Sequence, residues 1–178
     1  MFSNSLNDWW YLIPATILVD CIVLFLTKYP GSQPQFRVRS LHKWYRQFGI
    51  VAVMSDVLSI LIGIMIARYI YTALQLNGWI PFLAILIAVQ LCHDIFFYTY
   101  VILPLPKGHN QMIDVFKEYA QENGAMILGA DALMMLASVL IGSFLQSIPA
   151  HYTLATTFLT LYALTYILYT NEYLGPSI

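Results

Sequence analysis

Four aspartates, Asp20, Asp56, Asp94 and Asp131, interrupt stretches of chain that are otherwise apolar. Placing a carboxylate at the centre of a membrane helix costs about 2.5–3.5 kcal/mol on insertion scales. A sequence that does so four times needs partners for these groups, or a use for them. Residues 90–106, QLCHDIFFYTYVILPLP, concentrate the problem: the run is hydrophobic enough to lie in a bilayer, yet it carries Gln90, Cys92, His93 and Asp94.

The counter-charge is too small for the acids. His93 is the basic side chain at this depth, and Arg68 lies twelve residues beyond Asp56. That is about 18 Å along a helix, too far to neutralise it. Four carboxylates facing one imidazole cannot all be ionised in a low dielectric. Three outcomes are open: some hold protons, a bound cation neutralises them, or water solvates them. The first two describe a proton- or cation-handling site. The structural alternative is that protonated aspartates hydrogen-bond between helices and only fix the packing.

Helical spacing extends the candidate set. Asp56, Ser59 and Gly63 share a face, as do Gln90, Asp94 and Tyr98, and Asp131 and Ser138 stand two turns apart. The expected ion- or proton-binding residues are therefore Asp20, Asp56, Asp94, Asp131, His93, Gln90, Tyr98 and Ser59. Cys21, Cys92, His93 and Asp94 mix soft and borderline metal ligands. They show neither His-x-x-x-His nor Cys-x-x-Cys spacing, so metal binding stays open, and no cofactor is expected. The two cysteines lie in apolar segments and give no disulfide framework. No nucleophile elbow, zinc-protease helix or phosphate-cradling glycine loop occurs. Buried aspartates can serve as acid and base, which keeps a lipid-modifying enzyme as a third reading without motif support.

The elements that must position these residues follow from composition. Of 178 residues, 60% are hydrophobic and only 10% are charged, with mean hydropathy +0.69. A soluble domain has about 25% charged residues, so most of this surface is not built for water. The net charge is −1 and no basic run has the density that phosphate binding needs, which excludes a nucleic-acid partner. Five segments, 9–29, 48–74, 79–105, 125–147 and 150–170, are long enough to cross about 30 Å of hydrocarbon as helices. The sequence predicts an all-α, polytopic membrane bundle with five transmembrane helices. The front, MFSNSLND, has no positive region and no cleavage site, so the first segment reads as an anchor and not a removable signal.

Orientation follows from the basic residues. Lys28, Arg37, Arg39, Lys43 and Arg46 lie between the first two spans, Lys107 and Lys117 between the third and fourth, and only Arg68 near the other face. The positive-inside rule then places the N-terminus outside and the C-terminus in the cytoplasm. Trp9, Trp10, Tyr11 and Trp79 fit an outer aromatic belt. The short outer connections, 75–78 and 146–150, make spans two and three, and four and five, antiparallel neighbours. Val38, Leu41, Tyr45 and Phe48 form an apolar stripe, with Arg37, Lys43 and Arg46 off it, as in an amphipathic helix at the inner interface. Met112, Val115 and Tyr119 repeat the idea more weakly. The basic residues of these loops are expected to set orientation and to meet anionic lipid.

A repeat underlies the layout. Asp20 to Asp56 is 36 residues and Asp94 to Asp131 is 37. Pro30 and Pro104 each lie ten residues after the first aspartate of their pair, and Lys43-x-Tyr45-x-Gln47 matches Lys117-x-Tyr119-x-Gln121. One inserted residue brings Gly49 opposite Gly124. Residues 1–74 and 75–147 then form two helical hairpins of the same orientation, related by an axis along the membrane normal, and residues 148–178 hold a fifth helix and a short cytoplasmic tail.

His93-Asp94-Ile-Phe-Phe-Tyr98, Pro106-Lys-Gly-x-Asn110 and Lys117-x-Tyr119-Ala120 resemble stretches in uncharacterised multi-pass membrane proteins of large DNA viruses. The resemblance covers residues 90–135 and implies residence in a host or virion membrane, with no activity or catalytic residue to carry over. The function expected from the residues is binding or passage of a proton or small cation, channel- or transporter-like. The runner-up is a non-transporting envelope or assembly component that uses the aspartates for packing. A homo-oligomer is compatible with either.

Overall fold

Each apolar run forms a helix because its backbone hydrogen bonds can close only within the segment when no water is at hand. In a computed structural model describing residues 6–29 and 38–170, these runs become α1 (Trp9–Lys28), α3 (Ile50–Ala73), α4 (Trp79–Phe97) and α6 (Met126–Ser147). A π-helical segment, Tyr98–Ile102, prolongs α4. The loops contribute α2 (Arg39–Phe48) and α5 (Gln111–Asn123), and α7 (Ala150–Tyr169) follows α6. No strand occurs among the described residues. Pro30, Arg37 and the tail after Thr170 lie outside them.

Local chemistry sets the boundaries. Asn110 caps α5, its side chain accepting from the backbone N–H groups of Met112 and Ile113 at 2.9 and 3.2 Å. Pro149 precedes α7, where its missing N–H costs nothing. Gly49 both ends α2 and begins α3, at φ 54 and ψ −128, a conformation that a side chain disfavours. Pro104 can donate no hydrogen bond to the preceding turn, and there the ladder widens, with Leu103 N–H reaching Tyr98 at 2.9 Å.

Four helices, α1, α3, α4 extended to Ile102, and α6, are long and apolar enough to cross a membrane. They form a ring: α1 packs on α3 and α6, and α4 packs on the same two helices. Gly63 permits close approach, since a Cβ there would fall 2.2 Å from the Met135 methyl carbon. Small residues of this kind let membrane helices gain dispersion contacts that lipid does not supply. One packed cluster, around Leu12, Ile64, Phe82, Leu86 and Met135, fills one end of the ring. A second, around Leu24, Trp44, Tyr45, Val53 and Leu168, fills the end crossed by α2 and α5.

One expectation is met in part and another changes. Five spans are not established: α7 has 20 residues, as many as α1, but its threonines and tyrosines leave it less apolar than the other four. It also packs mainly against α1 and only lightly against α6. A short loop makes consecutive helices antiparallel but does not choose their packing partner. Here Leu164 and Leu168 find Cys21 and Leu24 of α1, while Lys28 Nζ donates to the carbonyls of Leu168 and Thr170 at the end of α7. The two helices therefore run in parallel.

Candidate functional site

Helix α1 carries Asp20 into the interior, where it is 0% exposed. Its Oδ1 accepts a hydrogen bond from the Tyr45 hydroxyl at 3.0 Å. Its Oδ2 is buried with no hydrogen-bond partner among the described residues. Asp56 on α3 lies close enough for its charge to act on Asp20. Both Asp56 oxygens accept from the Trp44 indole N–H, at 3.2 and 3.0 Å, and Tyr45 engages the same carboxylate more loosely. Helix α2 thus inserts two adjacent aromatic residues between the acids of α1 and α3.

The other half is more open. Asp94 on α4 accepts from Gln90 Nε2, one turn earlier, at 2.7 Å, and meets His93 Nδ1 at 3.2 Å. Its Oδ2 is buried without a partner among the described residues. The His93 side chain is 51% exposed, against 13% for Asp94. Asp131 on α6 joins through charge: it lies within electrostatic reach of Asp94, Asp56 and His93. Tyr119 on α5 feels Asp131, Asp56 and Asp94 together. Neighbouring aspartates are thereby linked from Asp20 through Asp56 and Asp131 to Asp94.

Among the described residues, two of the eight expected ones show no side-chain bond to these carboxylates. Ser59 is exposed and donates its hydroxyl to the Asp56 backbone carbonyl, 2.8 Å away on the same helix. Local back-bonding of this kind is the usual fate of a helical serine. Tyr98 is 41% exposed on the π-helical segment. Gln90 is buried, where the backbone of Gly63 leaves it room.

Sequence reasoning missed Trp44, although Leu41, Trp44 and Phe48 recur at helical spacing as well as the stripe through Tyr45 does. It also missed how the opposite end is held. Arg68 is 1% exposed and donates to Asp8 Oδ2 at 2.6 Å, Gln146 Nε2 donates to Asp8 Oδ1 at 2.9 Å, and the Trp9 ring lies 5.6 Å from the guanidinium. An arginine inside an apolar helix demands an acid at its own depth, and that demand was the available signal.

Helices α2 and α5 lie antiparallel across the basic end. The Glu122 carboxylate accepts from Arg39 N–H, Ser40 N–H and the Ser40 hydroxyl at 2.9, 2.8 and 2.6 Å, and so caps α2 from another helix. Lys43 pairs with Glu118 at 2.7 Å, and Gln47 meets Gln111 at 3.3 Å. Lys117 donates to the Leu105 carbonyl. Lys28, Lys43 and Lys117, expected to meet lipid, thus have partners within the chain.

Tyr45 and Tyr119 lie outside the candidate spans. Burial, reinforced by Asp56 and Asp20, pushes the Tyr45 phenol well above its ordinary pKa. Burial and the charges of Asp131, Asp56, Asp94 and Glu122 do the same to Tyr119. Both remain hydroxyls at any ordinary pH. Among the described residues no three His, Cys, Asp or Glu side chains gather closely enough to hold a metal ion. No family model, curated protein or solved structure matches the chain, and the resemblance to viral membrane proteins gains no support from them.

Proposed function

We propose that the chain is an integral membrane protein that binds or passes a proton or small cation at a layer formed by Asp20, Asp56, Asp94 and Asp131, with His93 and Gln90 beside it. One observation carries the reading: Asp20 is wholly buried next to Asp56, one of its oxygens has no partner among the described residues, and the groups donating to the pair are the neutral Tyr45 and Trp44. Two adjacent carboxylates without a positive partner cannot both stay charged in such a setting. Something positive has to join them.

The same reading takes the chain as two tandem hairpins, 1–74 and 75–147, followed by α7 as a fifth span in 148–178. What supports it is the ring, in which α1 and α3 stand to each other as α4 and α6 do, and the pairing of α2 with α5. Parallel packing of α7 along α1 supports its crossing the bilayer. The face carrying α2 and α5 is assigned to the cytoplasm because it carries the basic residues.

A second reading has one observation in its favour. The bonds from Tyr45 and Trp44 tie α2 to both α1 and α3, which is what a structural role for the aspartates requires. Purified protein in liposomes, given a proton or alkali-cation gradient, separates the two. Flux that disappears in the isosteric Asp56→Asn and Asp131→Asn variants supports the ion site. Unchanged flux in both, or none in the native chain, leaves the scaffold.

A further inference from the structure

We infer that the occupant of the Asp20–Asp56 pair is a proton, handed between the two carboxylates through the hydroxyl of Tyr45, and not a metal cation. This rests on the ion-site reading above and names its substrate. The geometry that carries it is the set of groups turned toward the acids. Tyr45 presents O–H to Asp20 at 3.0 Å and lies close to Asp56, while Trp44, the residue before it, presents N–H to both oxygens of Asp56.

Hard cations bind through oxygen lone pairs, about six or more around each ion. Here the groups bonded to the acids approach as hydrogen donors, whose positive ends disfavour a cation beside them. Among the described residues, the packed cluster that holds Tyr45 and Trp44 adds Leu24, Ala52, Val53 and Val57, which carry no acceptor, and Cys21, whose sulfur is a poor ligand for a hard cation. What the site does offer is an acceptor without a donor, Asp20 Oδ2, buried and unbonded among the described residues. A proton on the Asp20 carboxyl removes the charge that leaves this acceptor unbalanced.

The transfer balances without a further reactant. With Asp56 protonated and Asp20 ionised, the Tyr45 O–H bond breaks as its proton forms an O–H bond to Asp20. The Asp56 O–H bond breaks in the same event and its proton replaces the one that Tyr45 gave up. Asp20 ends neutral, Asp56 ends charged and Tyr45 is unchanged. Because burial among acids disfavours the phenolate, the hydroxyl relays a proton without ever standing ionised. Rotation about the C–O bond resets it.

The experiment uses the full chain in liposomes, with an enclosed pH dye in one set and radiolabelled sodium or rubidium in another. Infrared difference spectra of the native protein are recorded in parallel. Proton flux without alkali uptake is expected, with a buried carboxylic-acid band that shifts in heavy water and disappears in Asp20→Asn. Tyr45→Phe, which keeps the ring and removes the hydroxyl, should slow proton flux by about a hundredfold while the variant stays folded by thermal melt. Alkali uptake with a silent dye overturns the proton assignment and leaves the ion site standing. Native proton flux in Tyr45→Phe overturns the relay. Neither flux nor a carboxylic-acid band removes this inference and the ion-site reading together. The band needs no variant for its detection, so a misfolded Tyr45→Phe does not rescue the idea.

Discussion

Gly49 and Gly124 end α2 and α5 in the same backbone conformation, φ 54 with ψ −128 in the first and φ 54 with ψ −133 in the second. Each turns the chain from a short helix into a long apolar one. Among the described residues, a Cβ at Gly124 would meet nothing within 4 Å, and one at Gly49 would meet only the Tyr169 hydroxyl at 3.8 Å. Alanine at either position is therefore opposed by backbone strain and not by a clash, at about 1–3 kcal/mol. Gly49→Ala and Gly124→Ala should lower unfolding stability in detergent by similar amounts. A large loss in one and none in the other would count against the proposed two-hairpin reading.

Arg68 and Asp8 form an ion pair whose side chains are 2% and 5% exposed. Removing one member of a buried pair strands the other charge, which costs about 3–5 kcal/mol, whereas removing both is far milder. Asp8→Ala and Arg68→Met should each destabilise strongly, and the double variant should be less damaged than the two effects summed. Chemical denaturation of all four proteins closes the cycle. Additive losses would mean that the pair does not act as a unit.

These two cases mark what the sequence shows and what it hides. The apolar runs were legible because hydrocarbon length and helical rise leave few options, and Asp20, Asp56, Asp94 and Asp131 stood out against them. The Arg68–Asp8 pair was not, because it joins residues 60 apart and periodicity carries no information about such a meeting. Trp44 went unnoticed because one stripe on α2 was followed through Tyr45, while the helix inserts both aromatics between two acids. Ser59 shared a face with Asp56 as expected, but a serine hydroxyl can satisfy itself on its own helix. Where α7 packs was settled by Cys21 and Leu24 of α1, not by the length of its connection to α6.

The tie between α2 and α5 depends on pH. Desolvation raises Glu122, but the hydrogen bonds from Ser40 and Arg39, with the charge of Arg39, outweigh it and hold the carboxyl below its ordinary value of 4.5. A depressed carboxyl contributes stability that is fully present above that value and is lost as pH falls through the folded pKa. The native protein should therefore lose melting temperature relative to Glu122→Gln as pH drops below about 4.5, and no difference in slope should appear above it. Parallel curves through the acid range would show that Glu122 does not hold α2 as a carboxylate.

Tyr119 offers the last test, because on α5 it lies near Asp131, Asp56 and Asp94 as Tyr45 on α2 lies near Asp56 and Asp20. Its hydroxyl is held by no hydrogen bond among the described residues, although Asp131, Asp56 and Asp94 all act on it. A phenol kept neutral among acids can donate to either neighbour in turn, but an unpinned one spends less time aligned than Tyr45 does. Tyr119→Phe should therefore slow proton flux, by a smaller factor than Tyr45→Phe, and combining the two should slow it further than either alone. Initial rates of dye acidification in matched liposomes measure all three. Should Tyr119→Phe run at the native rate, the route through the acids does not use the α5 phenol, and any proton reaching Asp94 and Asp131 takes another path, of which the exposed imidazole of His93 is the nearest.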